Sequence, residues 1–438
     1  MRCQTVSDRQ RRSGGALKMY NAALLAAQTV GLPASAAALL CRRRTRAGLR
    51  ERLGFGRHPH PQGKPGVWLH AVSVGEVAAA APVAAEMRRL APGCGLVIST
   101  VTSTGRGRAA ALFPDAPHFY APLDLSWVVA RVVEAVSPDL YLSVDTDLWP
   151  NLTRALSLRG VPIVLINGRV SDASFQRWQR ARGLAAEIFS RATLLCMQTG
   201  MDAGRAVALG ARAERVLVTG STKYDAVVVP SPERLSGLRG SLGLAPGEPL
   251  IVGGSTHAGE ERALLEASSS LLASGKVRLA LVPRHPERAE GVAREAESAG
   301  WKVALYGAAG AREKAWQVLV VDRVGVLGAL YGLATAAFVG KSLCGAGGQN
   351  PLEPAALGVP VVFGPAMDNF REQAENLVAD GAAVVVRSTA ELAETVGRLL
   401  GDASKREAMG RAGVAHVASR RGASARCAEA ALGLRRNG

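Results

Sequence analysis

Ser73 and Glu76 stand three residues apart where an apolar run, 67–72, passes into an Ala-rich amphipathic stretch. Ser-x-x-Glu at a helix start is a capping box, in which both side chains satisfy free backbone N–H groups. A carboxylate at the mouth of a cleft is also what a general base needs to take a proton from a substrate hydroxyl, and the pattern alone favours capping. A second pair, Asp145 and Asp147, closes the run 139–144. Side chains two apart on extended backbone share a face, so this pair can bind sugar hydroxyls or a loosely held cation. Asp147 can equally cap a helix opening near Pro150. Gly105, Gly107 and Ala110, with Asp124 nineteen residues after Gly105, formally match a dinucleotide fingerprint with its ribose carboxylate. Arg106 and Arg108 would crowd the approach, which leaves a nicotinamide oxidoreductase as an alternative only.

The second half carries a different chemistry. Pro283-Arg284 ends an apolar run with a cation that can hold a phosphate bidentately. In the stretch from Gly345 through Gly347, Gly348 and Gln349 to Asn350-Pro351-Leu352-Glu353, Asn350 can be the N-cap and Pro351 the first helical residue. The glycines then let an anion approach the free N–H groups of the helix start. Glu353, one turn in, can accept from both hydroxyls of a ribose. No G-x-x-x-x-G-K-[ST] occurs, so a P-loop ATPase is not supported. Six scattered cysteines without a C-x-x-C pair, and seven histidines outside any metal-ligand spacing, predict a reducing compartment and no tightly held metal. A base with hydroxyl-binding carboxylates in one half and a nucleotide site in the other describe a nucleotide-sugar glycosyltransferase.

The elements that must position these residues follow from the hydrophobic pattern. With 438 residues, 48% of them apolar, the chain has room for two to three domains with real cores. Short β-branched runs alternate with longer amphipathic stretches, which predicts βα units around parallel sheets. The first series of strands is expected at 67–72, 96–101, 118–122, 139–144, 163–167, 194–198 and 215–219; the second at 250–253, 278–282, 302–306, 318–321, 336–339, 359–363 and 382–386. A Pro/Gly-rich stretch, 231–248, reads as a linker between a domain at 50–230 and another at 249–438 that ends in helices. Two doubly wound, Rossmann-like domains then face a cleft, and ligands are expected beyond the carboxyl ends of their strands.

The net charge of +17 points to an anionic partner, and residues 1–60 supply +10 of it, with twelve Lys/Arg against two acids. Between the basic clusters lies the uncharged stretch 20–41, which as a helix would span about 33 Å, one hydrocarbon thickness. Its Asn21, Gln28, Pro33 and Ser35 also suit a helix lying in the interface, and a buried N-terminal helix is the remaining alternative. The six arginines from Arg42 to Arg52 would meet anionic lipid at about 1 kcal/mol each. Cys41-Arg42-Arg43-Arg44 is not a small-residue cleavage site.

Taken in order, these residues resemble the bacterial 3-deoxy-D-manno-octulosonic acid (Kdo) transferases of lipopolysaccharide assembly. The resemblance rests on Trp68-Leu69-His70-Ala71-Val72-Ser73-Val74-Gly75-Glu76, Leu148-Trp149-Pro150-Asn151, Gly253-Gly254-Ser255-Thr256-His257, Pro283-Arg284-His285-Pro286-Glu287-Arg288, Asn350-Pro351-Leu352-Glu353-Pro354-Ala355 and Asn369-Phe370-Arg371-Glu372. It covers roughly residues 20–400. It implies a GT-B fold with an N-terminal anchor helix, acting as a monomer at the cytoplasmic face of the inner membrane, without nucleic acid or cofactor. The implied reaction is inverting, metal-independent transfer of Kdo from CMP-Kdo to a glucosamine hydroxyl of the lipid A precursor. By the resemblance Glu76 is the general base, which reverses the capping preference. Pro283, Arg284, Val324-Gly325-Val326 and Asn350 through Glu353 map onto the CMP site, with Arg284 and the helix start meeting the departing phosphate. Ser73, Thr104, Lys223, Ser255, Gly347, Gly348 and Gln349 are candidates for sugar or phosphate contacts. Four departures are visible: Asp145-Thr146-Asp147 where the family has Glu-Thr-Glu, Gln349 where a histidine is common, Gly220-Ser221-Thr222-Lys223 for Gly-Asn-x-Lys, and Val324-Gly325-Val326 for Met-Gly-Glu. They keep open a related CMP-sugar transferase with a changed donor or acceptor.

Overall fold

The computed structural model describes residues 15–26, 48–307 and 316–434. The chain forms two compact units, Met1–Ala226 with Arg421–Gly438, and Val227–Arg420. Unit 1 is built on a seven-stranded sheet of β1 (Gly66–His70), β2 (Gly95–Thr100), β3 (His118–Tyr120), β4 (Leu140–Val144), β5 (Ile163–Gly168), β6 (Leu194–Met197) and β7 (Val216–Val218). All pairs are parallel, in the order β3-β2-β1-β4-β5-β6-β7. Central strands such as β1 (GVWLH) are buried at every position, as a sheet covered by helices on both faces demands. The order reverses between β1 and β4, where His70 lies level with Ser143. The loops after these two strands therefore open side by side at a topological switch point.

Unit 2 repeats the plan with β8 (Leu250–Thr256), β9 (Arg278–Pro283), β10 (Val303–Leu305), β11 (Val318–Val320), β12 (Ala336–Val339), β13 (Val361–Phe363) and β14 (Ala383–Val385). Its parallel order is β10-β11-β9-β8-β12-β13-β14, so the switch point lies between β8 and β12. All fourteen expected strands are present, displaced at their ends by no more than three residues.

Two boundaries differ from the sequence reading. The expected linker contains a helix, Pro232–Ser241, started by a Ser231 side chain that accepts from the Arg234 N–H. Its Leu238 and the following Leu242 and Leu244 are buried in the core of unit 2, so leucine spacing outweighs the turn residues around it. The last helix, Ala423–Gly433, belongs to unit 1 instead of closing the second domain. Cys427, Ala428 and Ala431 are buried in one cluster with Val77, Ala80 and Val83 of the helix Val74–Leu90. The Asp225 carboxylate accepts from the N–H groups of Gly422 and Ser424, both at 2.7 Å. Small residues let the two helices approach closely, a pairing that no local signal marks.

Of the uncharged stretch 20–41, residues 20–26 belong to a helix over 15–26 and the rest lies outside the described residues. Here Leu17 is buried, the Tyr20 hydroxyl donates to Asp124 (3.0 Å), and the Asn21 side chain accepts from Asn151 (2.6 Å). No helix among the described residues is long and apolar enough to cross a membrane.

Candidate active site

Glu76 sits in the first turn of the helix Val74–Leu90, directly after β1. Its carboxylate accepts from the Val72 N–H (2.7 Å) and the Ser73 hydroxyl (2.9 Å). The capping box is thus only half made: Ser73 makes no side-chain bond to the helix backbone and turns its hydroxyl to Glu76. Across the switch point Asp147 shares a hydrogen bond with Glu76. Burial first, then the charges of Asp147 and Asp145, push Glu76 up to about 8, against the pull of Val72 and Ser73. Asp147 is itself raised by burial and by Asp145, and drawn back by its bond to Glu76. Near neutral pH Glu76 therefore carries a proton.

Asp145 has left-handed backbone (φ 58°) and accepts from the Asn167 amide at 2.6 Å. Burial raises its pKa, offset first by Lys223 and then by Asn167 and Arg169. Asn167, at the end of β5, also accepts from the Thr222 N–H (3.0 Å) and the Ser221 hydroxyl (3.3 Å). One amide thus ties the Asp145 loop to the turn that carries Lys223. The sequence reading missed it, because a lone Asn at a strand end reads only as a turn residue. His70 was also missed as a site neighbour. It is fully buried, pairs through Nδ1 with Ser99 (2.9 Å), and is held near 4, hence neutral, by burial.

Two alternatives close. The helix Pro150–Leu158 is capped by Asp124, not Asp147: its carboxylate accepts from the N–H groups of Asn151 (3.0 Å) and Leu152 (2.8 Å). That use leaves Asp124 engaged elsewhere than on a ribose. Gly105 is buried, and a Cβ there would lie 2.8 Å from Thr102 Oγ1 and 3.1 Å from the Val72 carbonyl. Its glycine serves packing against the loop after β1, where Thr102 caps the helix Ser103–Leu112. Thr104, on that helix, is exposed, and its hydroxyl bonds Thr102 (3.4 Å).

In unit 2 the loops after β11, β9, β8 and β12 open from neighbouring strands. They carry Val324-Gly325-Val326, Arg284, the end of β8 with Ser255, and Gly347 to Glu353. Ser255 and Lys341 both have left-handed backbone (φ 53° and 58°). Pro283 closes β9 and is buried, while Arg284 donates its N–H to the Thr256 carbonyl (3.0 Å) and is itself exposed. Val324 is 79% exposed, and the Gly325 carbonyl accepts from Arg234 (3.0 Å). The helix near Asn350 is Leu352–Ala356, one residue later than the sequence reading, because Asn350 accepts from the Leu352 N–H (3.1 Å) and Pro351 takes the cap position. The Asn350 amide also donates to Glu353 (3.1 Å), so the two expected ribose and cap residues are linked. Gly347 (φ 111°) and Gly348 (φ 65°) need glycine: side chains there would strike Asn369 and Met367. Gln349 follows them, partly exposed.

The group that organises this edge is one the sequence left unremarked. Glu260, fully buried, accepts from the N–H groups of His257 (2.9 Å), Lys341 (2.7 Å), Ser342 (2.9 Å) and Leu343 (3.0 Å), which fastens the loop after β12 to the loop after β8. Next to it Glu261 accepts from Thr256 (2.9 Å) and from both arms of Arg288 (2.8 and 3.2 Å). Acidic residues at a helix start read as ordinary dipole complements, so neither drew notice. Among the described residues no group of His, Cys, Asp and Glu is placed to hold a metal ion.

The family model described as 3-deoxy-D-manno-octulosonic-acid transferase (kdotransferase) matches residues 47–226. A 3-deoxy-D-manno-octulosonic acid transferase of Haemophilus influenzae is 35% identical over 87% of this chain and 90% of its own length. One from Bordetella pertussis is 32% identical over 85% of this chain and 88% of its own. Among solved structures, a UDP-GlcNAc 2-epimerase from Neisseria meningitidis covers 84% of this chain and 99% of its own with a TM-score of 0.57 at 15% identity, a likeness of GT-B-type fold alone. With its paired sheets, its carboxylate cluster at one switch point and these relatives over most of its length, the chain belongs to the Kdo transferase family of glycosyltransferases.

Proposed function

We propose that this chain transfers Kdo from CMP-Kdo to a hydroxyl of the lipid A precursor, with Glu76 as general base. The observation that carries the reading is the placement of Glu76: a buried carboxylate at the unit 1 switch point, tied to Asp147 and poised near 8. Glu76 takes the proton of the acceptor hydroxyl as its oxygen bonds to the Kdo anomeric carbon. The bond from that carbon to the phosphate oxygen breaks, and CMP leaves with the electron pair. Arg284 and the N–H groups of Gln349 and Asn350 meet the charge that develops on the phosphate. Mass analysis of the lipid A precursor after incubation with CMP-Kdo generated in place tests this; no gain of a Kdo mass with folded protein sinks it.

Arg284→Ala should weaken CMP binding by about 1.5–3 kcal/mol, the worth of a charged hydrogen bond. Calorimetric titration with CMP checks this, and unchanged affinity would place Arg284 outside the donor site. The proposed seat of the protein is the cytoplasmic face of the inner membrane, supported by the uncharged stretch up to Cys41 and the arginines that follow. Because residues 20–26 pack on unit 1, the informative change replaces 28–41 with a Gly/Ser linker. Flotation with vesicles containing anionic lipid should then leave the protein unbound, and continued flotation would move the attachment elsewhere.

A further inference from the structure

Beside the base, unit 1 contains a cavity of about 470 Å³ that the reaction as derived above does not use. Its lining includes Asp147, the partner of Glu76, together with the apolar side chains of Leu24, Leu148, Trp149, Trp178 and Leu184. We propose that this cavity seats an acyl chain of the acceptor lipid and so delivers the sugar hydroxyl to Glu76. The inference rests on the acceptor being a lipid-borne sugar, as proposed above.

The walls are rigid. Trp178 packs edge-on against Phe189 (6.2 Å), and Trp149 packs edge-on against His70 (5.6 Å). Helix 15–26, which brings Leu24, is fixed by the bonds of Tyr20 to Asp124 and of Asn21 to Asn151. The polar lining groups Tyr20 and Asp124 are thus bonded to each other and, through Asp124, to the helix start at Asn151. Thr146 and Asp147 could bond a sugar hydroxyl, but the leucine, proline and indole faces that make up most of the lining could not, whereas an alkyl chain brings no polar group to satisfy. The volume falls in the range of sites that enclose a small ligand or part of a larger one. The cavity shares Asp147 with the base, and helix 15–26, which brings Leu24 to its lining, stands ahead of the uncharged sequence that reaches Cys41.

The test uses the full chain, CMP-Kdo and a series of acceptors with one disaccharide head and acyl chains shortened stepwise, all short enough to stay monomeric in water and kept below the critical micelle concentration. Each methylene lost from the seated part should lower kcat/KM about fourfold, carried by KM with kcat little changed. Leu184→Trp, which fills the cavity, should lower kcat/KM for the longest acceptor at least tenfold and flatten the dependence on chain length. An acceptor with a diazirine at the end of one chain should, on illumination with the wild-type protein, label peptides containing Leu24, Trp178 or Leu184. Transfer that proceeds with no dependence on chain length, an unchanged slope in Leu184→Trp, or label found only outside these peptides overturns the inference while leaving the transferase reading intact. Absence of transfer to every acceptor overturns both.

Discussion

Glu76→Gln should lose transfer by about two to four orders of magnitude, the usual contribution of a general base, with CMP affinity unchanged. Retention of more than a tenth of the activity would remove Glu76 from that role. The wild-type enzyme should show the same group in its pH profile. Glu76 is protonated below about 8 and cannot accept the hydroxyl proton, so kcat/KM should fall about tenfold per unit as pH drops below that value. Asp147→Asn removes a like charge, and with it the acceptor that keeps the proton on Glu76. Its acid limb should therefore move to lower pH by part of the shift, since burial, the larger cause, stays. An unmoved limb would deny the coupling. Stability carries the same signature. A carboxyl raised from 4.5 to about 8 favours folding fully at or below pH 4.5, and that contribution is lost as pH rises to 8. Glutamine stays neutral and keeps an acceptor for Val72 and a donor for Asp147, so Glu76→Gln should gain in Tm over wild type between those limits.

Glu260→Ala should be the most damaging change away from the base. Four backbone N–H groups lose their acceptor at once, in a place where the carboxylate is fully buried. At about 1–3 kcal/mol for each donor left unbonded, less relaxation and water entry, the loss should reach about 3–5 kcal/mol. Because three of the donors head the segment leading to Gly347, Gly348 and Asn350, CMP affinity should fall with it. Glu260→Gln keeps the volume but offers one accepting oxygen where two were used, and should recover only part of either loss. Denaturant unfolding followed by CMP titration checks this, and wild-type values for Glu260→Ala would show that the loop is held by other means.

What was legible beforehand was whatever repeats at short range. Buried strands such as β1 and β4 are continuous apolar runs, and helix starts after them carry Ser, Thr, Asp or Glu, so the order of elements and the loops worth inspecting followed directly. Glu76 could be picked out as a carboxylate in such a loop, but its partner Asp147 lies 71 residues on, and only the crossing at the switch point brings them together. The same distance in sequence hid Asp124 as the cap of the helix at Pro150 and Asn167 as the tie between two loops. Glu260 stayed hidden for another reason: its partners are main-chain groups, which have no residue type to read.

The return of the last helix to unit 1 has a consequence for synthesis on the ribosome. The helix that bears Glu76 in its first turn buries its flank against Cys427, Ala428 and Ala431, residues made after the whole of unit 2. At bacterial elongation rates of about 5–20 residues per second, the interval between the end of the first segment and the arrival of its closing helix is roughly 10–40 seconds. For that time the nascent first unit exposes the apolar strip that the helix Ala423–Gly433 later covers. A message broken between codons 421 and 433 therefore leaves unit 2 whole and unit 1 unfinished, so damage to the helix that carries Glu76 can arise about 350 residues away from it in sequence.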